Sequence, residues 1–451
     1  MSEIMPRISI PEPVLFCMDR LSACRKQAFV VGGAVRDALL GKEAKDFDIA
    51  TDATPEEMLE IFADQSVHPT GLSHGTITVV KDDEPIEITT FRTDGDYSDG
   101  RHPDQVTFCE SVEEDVQRRD LTMNGLAADR NGVIHDFVGG VADLRAKRVR
   151  CIGDGNRRFG EDGLRILRAL RFASVLDFAI EESTAEAILG QKELLRRISA
   201  ERIWKELGLF LIGVRASALL LDFIEVFGVV IPELLPMRGF EQRTPYHCYD
   251  VLTHSAVVLA NVPPREELRL AALFHDIGKP DCFFVGEDGI GHFYGHPKRS
   301  AEIADAVLRR LKADNQTREH VVDLVLEHDV EMYALKPLLR KRLSRFGEPF
   351  LRDLLLLKKA DNLGQSELVV CRREEIAEMF VLLDELLAEE GVMSLKCLAI
   401  SGADVMALGI PAGRKVGELL QLALDQVIEG EWVNEKEALL AQLQKWIERE
   451  H

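Results

Sequence analysis

The sequence predicts an α+β chain, a small mixed α/β head followed by an all-helical body. Short apolar and β-branched runs at Ala28 to Val31, Thr76 to Lys81 and Pro85 to Phe91 read as strands, and all lie before residue 140. From Asp143 onward apolar residues recur at helical spacing, with no strand signal expected up to about residue 345. The 451 residues suffice for about two to four domains with true cores.

Residues 12 to 26 read as an amphipathic helix leading into the first strand. Gly32-Gly33 then makes a turn that brings bare backbone close to a ligand. The helix after it carries Arg36 in its first turns, where amide donors and a guanidinium can meet a triphosphate. Phe47 and Ile49 are apolar, so Asp46 and Asp48 share the opposite face of a strand. Two adjacent carboxylates repel, and a bound Mg2+ offsets that repulsion. Turn and carboxylate pair together imply a metal-dependent nucleotidyl-transfer site. Either half alone fits an ordinary glycine turn or a solvated strand end.

Thr54-Pro55-Glu56-Glu57 marks a helix start, with an N-cap, a proline at the first helical position and acids in the first turn. The strands on either side of Asp82-Asp83-Glu84 form a pair, and Glu87 on the second either joins the carboxylates or faces solvent. Arg92 to His102, dense in Asp, Gly and Ser with one Tyr, has the composition of a mobile surface loop. Arg118-Arg119-Asp120 follows an acidic helix and opens a second one, where a basic pair opposes the helix dipole and favours a bound anion. Asp136 to Gly140 reads as a strand end and turn.

In the helical part, Asp162, Arg165 and Arg168 recur every three residues and fall on one broad helical face, with Ile166, Leu167 and Leu170 on another. A carboxylate accepts from the exocyclic amine of cytosine or adenine, and a guanidinium donates to the ring acceptors beside it. The Asp162–Arg165 pair can therefore read C and A and refuse U and G without a nucleic-acid template; the alternative is a surface salt bridge. After the linker Arg238 to Pro245 a second constellation begins. His254 lies in an apolar helix, His275-Asp276 follows the helix Leu268 to Phe274 that Gly278 ends, and Asp361 closes the apolar run Leu354 to Ala360. His, His-Asp and Asp at the inner ends of three helices build a metal site, the alternative being satisfied buried hydrogen bonds. Lys279, His292, His296 and His328 then face a phosphate or a second metal. The tail from Ser394 has Gly-rich turns at Gly402, Gly409 and Gly413, then two short helices.

The formal charge is −22, so contact with nucleic acid requires a local basic patch. Between Asp143 and Lys205 there are 14 Lys and Arg against 10 Asp and Glu, a reversal of sign that predicts a basic strip along that segment. The eight cysteines (17, 24, 109, 151, 248, 282, 371 and 397) form no C-x-x-C pair, which argues against a disulfide framework or zinc site and fits a reducing cytoplasm. The most apolar stretch, Ala218 to Leu235, is broken by Asp222 and Glu225, so no membrane span is expected.

The segment from Val31 to Thr51 resembles the catalytic signature of the nucleotidyltransferase superfamily, in the branch of CCA-adding enzymes and bacterial poly(A) polymerases. The resemblance implies that Asp46 and Asp48 bind Mg2+, that Gly33, Arg36 and Arg119 hold the triphosphate, and that Asp120 and Asn124 are structural or ribose-facing. The run Phe159 to Phe172 is similar to the family's Glu-Asp-x-x-Arg motif. It implies that Asp162 and Arg165 template the base, while Arg168 and Arg171 support the nucleotide and primer end. Gly163 departs from the alanine or proline of many members. Ser73 to Thr76 resembles a turn of CCA-adding enzymes rather than the Gly-Arg-Arg-Phe type signature of poly(A) polymerases. Thr89 to Tyr97 resembles the flexible loop of enzymes that add the terminal A, Asp136 to Gly140 a hinge, and Ile198 to Leu207 the last helical motif of the neck. The order His254, His275-Asp276, Asp361 resembles the HD phosphohydrolase superfamily, in which these four ligate a divalent metal.

These resemblances imply four domains: a nucleotidyltransferase head over 1–140, a nucleotide-selecting neck over 141–210, an HD-type helical domain over 211–365, and a tail over 366–451 that contacts tRNA. The implied activity is addition of CCA to tRNA 3′ ends from CTP and ATP. The alternatives are an A-adding or poly(A)-forming enzyme, and a metal-dependent phosphohydrolase.

Overall fold

The computed structural model describes residues 7–44, 46–72, 75–95, 106–287, 289–388, 395–428 and 431–450. Ser73-His74 in the expected turn, and the expected loop beyond Gly95, lie outside them. The chain divides into two compact units, Met1–Leu235 with Arg310–Lys312, and Pro236–Arg309 with Ala313–His451.

Up to residue 140 the described residues of the first unit form the strands β1 (Ala28–Val31), β2 (Asp48–Thr51), β3 (Ser66–Gly71), β4 (Thr76–Lys81), β5 (Glu84–Thr90), β6 (Arg92–Asp94), β7 (Val106–Phe108), β8 (Leu126–Ala128) and β9 (Ile134–Asp136). Seven form one sheet in the order β3-β4-β5-β2-β1-β8-β9, while β6 and β7 pair separately. Strands β4 and β5 meet through Asp82 and Asp83 at φ 54° and 64°, the left-handed pair that matches the twist of a tight hairpin. Register positions the site. Val31 on β1 pairs with Asp48 on β2, which sets the Gly32 turn beside that carboxylate. Strands β2 and β5 run parallel with Ile49 opposite Ile88, so Asp48 and Glu87 are neighbours on the same face. Ile49, Ile77, Val79, Ile86 and Ile88 point the other way and are buried. Each such side chain contributes about 1.5–3 kcal/mol over leaving it in water.

Behind the head, the helix Leu164–Leu176 buries Ile166, Leu167, Ala169, Leu170 and Ala173, leaving its arginines at the pocket. It packs on Ala200–Leu211, where Ser174 Oγ donates to the Phe210 carbonyl at 2.8 Å. The helix start at Thr54 is a complete capping box with Glu57.

Four local expectations are corrected. Strand β2 begins at Asp48, so Asp46 precedes the strand and is not on its face. Arg118 is the C-cap of the acidic helix Val112–Gln117, where the dipole favours a cation; it and Arg119 pair with Asp115. The dipole therefore lends no support to a bound anion there. Asp162 is not helical: at φ −143° and ψ 107° it sits extended between Gly155–Glu161 and Leu164–Leu176. Two-residue strands also occur after Asp143, Arg148–Val149 with Ala179–Ile180 and Phe284–Val285 with Gly291–His292. Segments that short leave no periodicity to read.

The second unit is helical around Val251–Asn261, Glu266–Phe274, Asn315–Glu327 and Glu348–Leu363, whose apolar faces meet one another. The helix expected to end at Gly278 ends at Phe274, with His275 as its cap; Gly278 instead precedes the short helix Lys279–Cys282. In the tail, the two short helices are fifteen residues each, Arg414–Ile428 and Lys436–Glu450. They close a separate core of Val405, Leu419, Leu424, Leu439 and Leu443. No helix among the described residues is long and apolar enough to cross a membrane.

Candidate active site

A pocket of about 540 Å³ in the first unit is lined by Gly32, Gly33, Asp46, Asp48 and Asn124 on the head side, and by Asp162, Arg165, Arg168, Arg171 and Arg202 on the helical side. Gly32 takes φ +77°, open to glycine at little cost, and this lets the chain leave β1 and start the helix Gly33–Leu39 within one residue. A side chain there would also approach Arg119 Nη1 to 3.3 Å. Arg36 is held in place on three sides. Its Nη1 donates to Asn124 Oδ1 at 2.7 Å, its Nε to Asp37 at 2.8 Å, and its guanidinium lies 4.7 Å from the Phe172 ring.

Solvent reaches Asp48 through the pocket mouth, yet enough protein surrounds it that desolvation pushes its pKa up to about 6. Glu87 and Asp46 add to the rise, and Arg119 opposes it. Three carboxylates with too little countercharge fit a hard divalent cation with oxygen ligands. Glu87 is exposed and does not line the pocket, although its charge adds to the rise at Asp48.

Asp120 shows the opposite balance. Burial alone would raise its pKa, but Arg168 at 2.7 Å and Asn124 Nδ2 at 3.1 Å hold it well below the usual carboxylate range. Asp120 thus fixes Arg168 and, through Asn124, the amide that holds Arg36. Arg171 pairs with Glu206 at 2.7 Å and stacks 4.0 Å from Phe172.

Asp162 and Arg165 are each held by other partners. Asp162 Oδ1 accepts from Leu164 N at 3.0 Å and Oδ2 from Arg202 Nη2 at 2.7 Å, which leaves about two of its four acceptor positions open. Arg165 donates to Glu161 Oε2 at 2.6 Å, the Arg158 carbonyl at 3.2 Å and the Arg118 carbonyl at 3.1 Å. Both groups are therefore oriented before any ligand arrives. Gly163 has a local reason: a Cβ there would lie 2.9 Å from that of Leu194. Seven arginines and four aspartates line the pocket (Arg36, Arg118, Arg119, Arg165, Arg168, Arg171 and Arg202; Asp46, Asp48, Asp120 and Asp162), so an acidic chain concentrates positive charge here.

In the second unit His254, His275 and Asp276 are buried and bring their ligand atoms within 4.8 Å of one another. His254 Nε2 lies 2.9 Å from Asp361 Oδ1 and 3.2 Å from His275 Nε2. Each ring gives its Nδ1–H to a backbone carbonyl, His254 to Gly364 at 3.1 Å and His275 to Ala272 at 2.8 Å, so both Nε2 atoms turn inward. Burial opposes charge on His275, yet Asp276 and Asp361 raise its pKa against that burial and against Lys279; burial favours a neutral Asp276, yet His275 and Lys279, the latter at 2.7 Å, hold it well down. Asp361 is also held low, by His254 against its burial. Inward imidazoles and carboxylates fit a divalent transition metal. Lys279, His292, His296 and His328 line an adjoining pocket of about 530 Å³ with Asp276 and Asp361.

Sequence reasoning gave Arg202 only a supporting role in the neck and missed Phe172 as the platform under three arginines. It also missed His247, edge-on to His254 at 5.1 Å, and Gln242, which accepts from Lys279 at 2.8 Å. Phe172 had a signal, standing directly after Arg171. His247 and Gln242 come from a loop whose sequence has no period.

Comparisons with known proteins bear on both units. A Poly A polymerase head domain model matches residues 28–150, and a tRNA nucleotidyltransferase domain 2 model matches residues 295–443. The chain is 35% identical to the CCA-adding enzyme of Enterococcus faecalis over 427 residues, 92% of this chain and 91% of that one. It is 51% identical to the CCA-adding enzyme of Lactobacillus helveticus over 180 residues, 40% of this chain and 45% of that one. The structure of the Bacillus stearothermophilus CCA-adding enzyme in complex with CTP superposes with a TM-score of 0.73 at 29% identity, covering 98% of this chain and 99% of that one. Near-full-length identity of this order, over a head and helical body of matching fold, makes the chain a member of the CCA-adding enzyme family, a nucleotidyltransferase family that works with a divalent metal.

Proposed function

We propose that this chain adds C, C and A to the 3′ end of tRNA from CTP and ATP without a nucleic-acid template. One observation carries the reading: Asp46 and Asp48 line the same pocket as Asp162 and Arg165, so a nucleotide bound there meets both pairs. The CTP complex of the B. stearothermophilus relative supports CTP as a substrate.

Asp46 and Asp48, with Glu87 nearby, would hold Mg2+, which when bound would supply acidification of the primer 3′-hydroxyl and neutralisation of charge on the leaving pyrophosphate. Arg36 and Arg119 grip the triphosphate over the bare Gly33 backbone. Asp162 accepts from the exocyclic amine of C or A, and Arg165 donates to the adjacent ring acceptor. UTP and GTP would turn a carbonyl oxygen toward Asp162, setting acceptor against acceptor. Arg168 and Arg171, stacked on Phe172, steady the nucleotide and the primer end. The work divides among the head (1–140), the selecting neck (141–210), an HD-type helical domain (211–365) and a tail (366–451) that contacts tRNA. Eight free thiols suit a cytoplasmic setting.

A tRNA lacking its CCA end, given one labelled nucleotide at a time, tests this. Two CTP additions, then one ATP, then arrest is the expected result. ATP alone extending a CC end, with no use of CTP, would establish A-only addition, and unbounded ATP use a poly(A) activity. A second reading rests on the convergence of His254, His275, Asp276 and Asp361: a phosphohydrolase holding another divalent metal. Phosphate release from a 2′,3′-cyclic nucleotide, lost in His275→Ala and kept in Asp46→Ala, is its expected signature. Release that survives His275→Ala removes it.

A further inference from the structure

The pocket of about 530 Å³ beside the imidazole cluster has an aromatic wall that the cluster's own chemistry leaves unused. The short strands Phe284–Val285 and Gly291–His292 pair antiparallel with Phe284 opposite His292, so these two side chains share one face of the hairpin. Their rings lie 5.2 Å apart and 27° from parallel. Tyr294 extends the row, 5.4 Å from His292 and 16° from parallel. The neighbouring residues turn the other way. Phe283 and Phe293 lie 5.4 Å apart, Phe283 meets Phe240 edge-on at 5.2 Å, and Phe293 lies 5.3 Å from Lys279 Nζ. Gly291 N donates to the Arg243 carbonyl at 2.8 Å, beside Gln242, which accepts from Lys279. The hairpin is thus anchored through one face, close to the lysine that pairs with Asp276, and carries a row of rings on the other.

Packing accounts for Phe283 and Phe293 but not for the outer row. Tyr294 lies beyond the paired residues and is 75% exposed, and Phe284 is 45% exposed, so neither ring gains much by burial. Tyrosine is also scarce in this chain. There are five in 451 residues, yet both Tyr246 and Tyr294 line this pocket with their rings largely in solvent. Deeper in the same pocket stand Lys279 and the carboxylates and imidazoles of the cluster. A ligand that suits both regions carries a phosphate group and a flat ring, and that combination is a nucleotide. We propose that Tyr294 and His292, backed by Phe284, stack the base of a nucleoside phosphate whose phosphate group reaches Lys279 and the cluster. This rests on the phosphohydrolase reading of the cluster and assigns that site its substrate class. Every base has a π face, so stacking of this kind selects nucleotides over other phosphoesters without choosing among the bases.

The test uses the full-length protein with Mn2+ and the 2′,3′-cyclic phosphate of 2-aminopurine riboside, whose fluorescence is quenched when its base stacks. Saturable quenching is expected, with half-saturation raised about ten- to a hundredfold in Tyr294→Ala and restored in Tyr294→Phe. Hydrolysis of the same probe should show that rise in KM, with the smaller change in kcat. The loss should fall about tenfold or more harder on the probe than on glycerol 1,2-cyclic phosphate, which has the same ester and no ring. Equal loss on the two substrates would mean that the rings only hold the hairpin, and overturns the proposal. Quenching and KM unmoved by Tyr294→Ala, with hydrolysis lost in His275→Ala, overturn the stacking and leave the phosphohydrolase reading standing. Quenching that depends on Tyr294 without hydrolysis in any protein does the reverse. Neither quenching nor hydrolysis overturns both. Circular dichroism checks folding; should Tyr294→Ala not fold, Phe284→Ala makes the same comparison, and quenching unmoved by it overturns the proposal.

Discussion

Asp46 and Asp48 stand at the mouth of a pocket that solvent enters, whereas His254, His275 and Asp276 are enclosed by helices. The two places treat a carboxylate in opposite ways. In the head, desolvation and the neighbouring Glu87 and Asp46 push Asp48 up, because the chain supplies too little positive charge beside it. In the helical unit Asp276 and Asp361 are held low, because imidazoles and, at Asp276, Lys279 supply that charge despite the burial of Asp276 and the half-burial of Asp361. The head thus leaves carboxylate oxygens open to solvent and short of positive charge, which suits a hard divalent cation taken from outside. On the proposed metal reading, the helical cluster offers nitrogen ligands suited to a resident ion. A chain that must release pyrophosphate and accept a new triphosphate at each step has reason to keep the first kind of site for transfer.

The largest expected effect breaks one side of that contrast while sparing the other. Asp48→Asn should lower nucleotide addition to tRNA by about a thousandfold or more, on the scale of losing a group that stabilises transition-state charge. Metal retained by the helical unit should not change. His275→Gln should do the reverse, losing retained metal while CCA addition continues within about twofold, a surface-like effect for a site in another unit. Single-turnover addition and metal analysis of both variants give the comparison. Equal loss of addition in the two variants would mean that the clusters are not independent.

Much of this contrast could be read in the sequence. Strand β1 spans the residues that the apolar run Ala28 to Val31 indicated, the hairpin closes through Asp82-Asp83, and Thr54 caps with Glu57. Those features are set by neighbours within a few residues, which is the range over which periodicity and turn chemistry act. The constellations were readable because side-chain chemistry limits what two carboxylates or a His-Asp pair can do. What escaped was decided at a distance. Arg202 reaches Asp162 across forty positions, and the lack of a side chain at Gly163 answers to Leu194, thirty-one positions away. The approach of His296 and His328 to Asp276 depends on two helices that begin and end far along the chain.

A smaller effect separates grip from choice within the head. Asp162→Ala should reduce use of CTP and ATP by about ten- to a hundredfold and narrow discrimination against UTP and GTP by a similar factor, since one good base contact contributes about 1–3 kcal/mol. Arg202→Gln, which removes the partner of Asp162 Oδ2 but no proposed base contact, should lose less activity and keep the preference for C and A. Competition between CTP and UTP on one tRNA measures both. If Arg202→Gln relaxes the preference as far as Asp162→Ala does, Arg202 itself touches the base.

The smallest effect concerns pH and tests why Asp48 differs from Asp276. Proton and cation compete for the Asp48 carboxylate, and its pKa near 6 means the competition begins just below neutrality. The Mg2+ concentration giving half-maximal addition should therefore rise about fourfold between pH 7.5 and pH 5.5, from the protonated fraction alone. Stability gives the same sign by another route. A carboxylate with a raised folded pKa destabilises the folded state while charged, so without divalent cation Asp48→Asn should be more stable than the parent at pH 7 to 8. That gap should close as pH falls through about 6 toward the unfolded value near 4. Asp361, held low, has the opposite dependence: its stabilisation is present above its unfolded value and is lost as pH falls through its depressed folded one. Urea midpoints for the parent and Asp48→Asn across this range, with and without Mg2+, read the difference. Mg2+ should raise the parent's midpoint at pH 7.5 and leave that of Asp48→Asn nearly unmoved. Equal midpoints for the two proteins at every pH would mean that Asp48 is not the desolvated, like-charge-crowded group that distinguishes the head from the helical cluster.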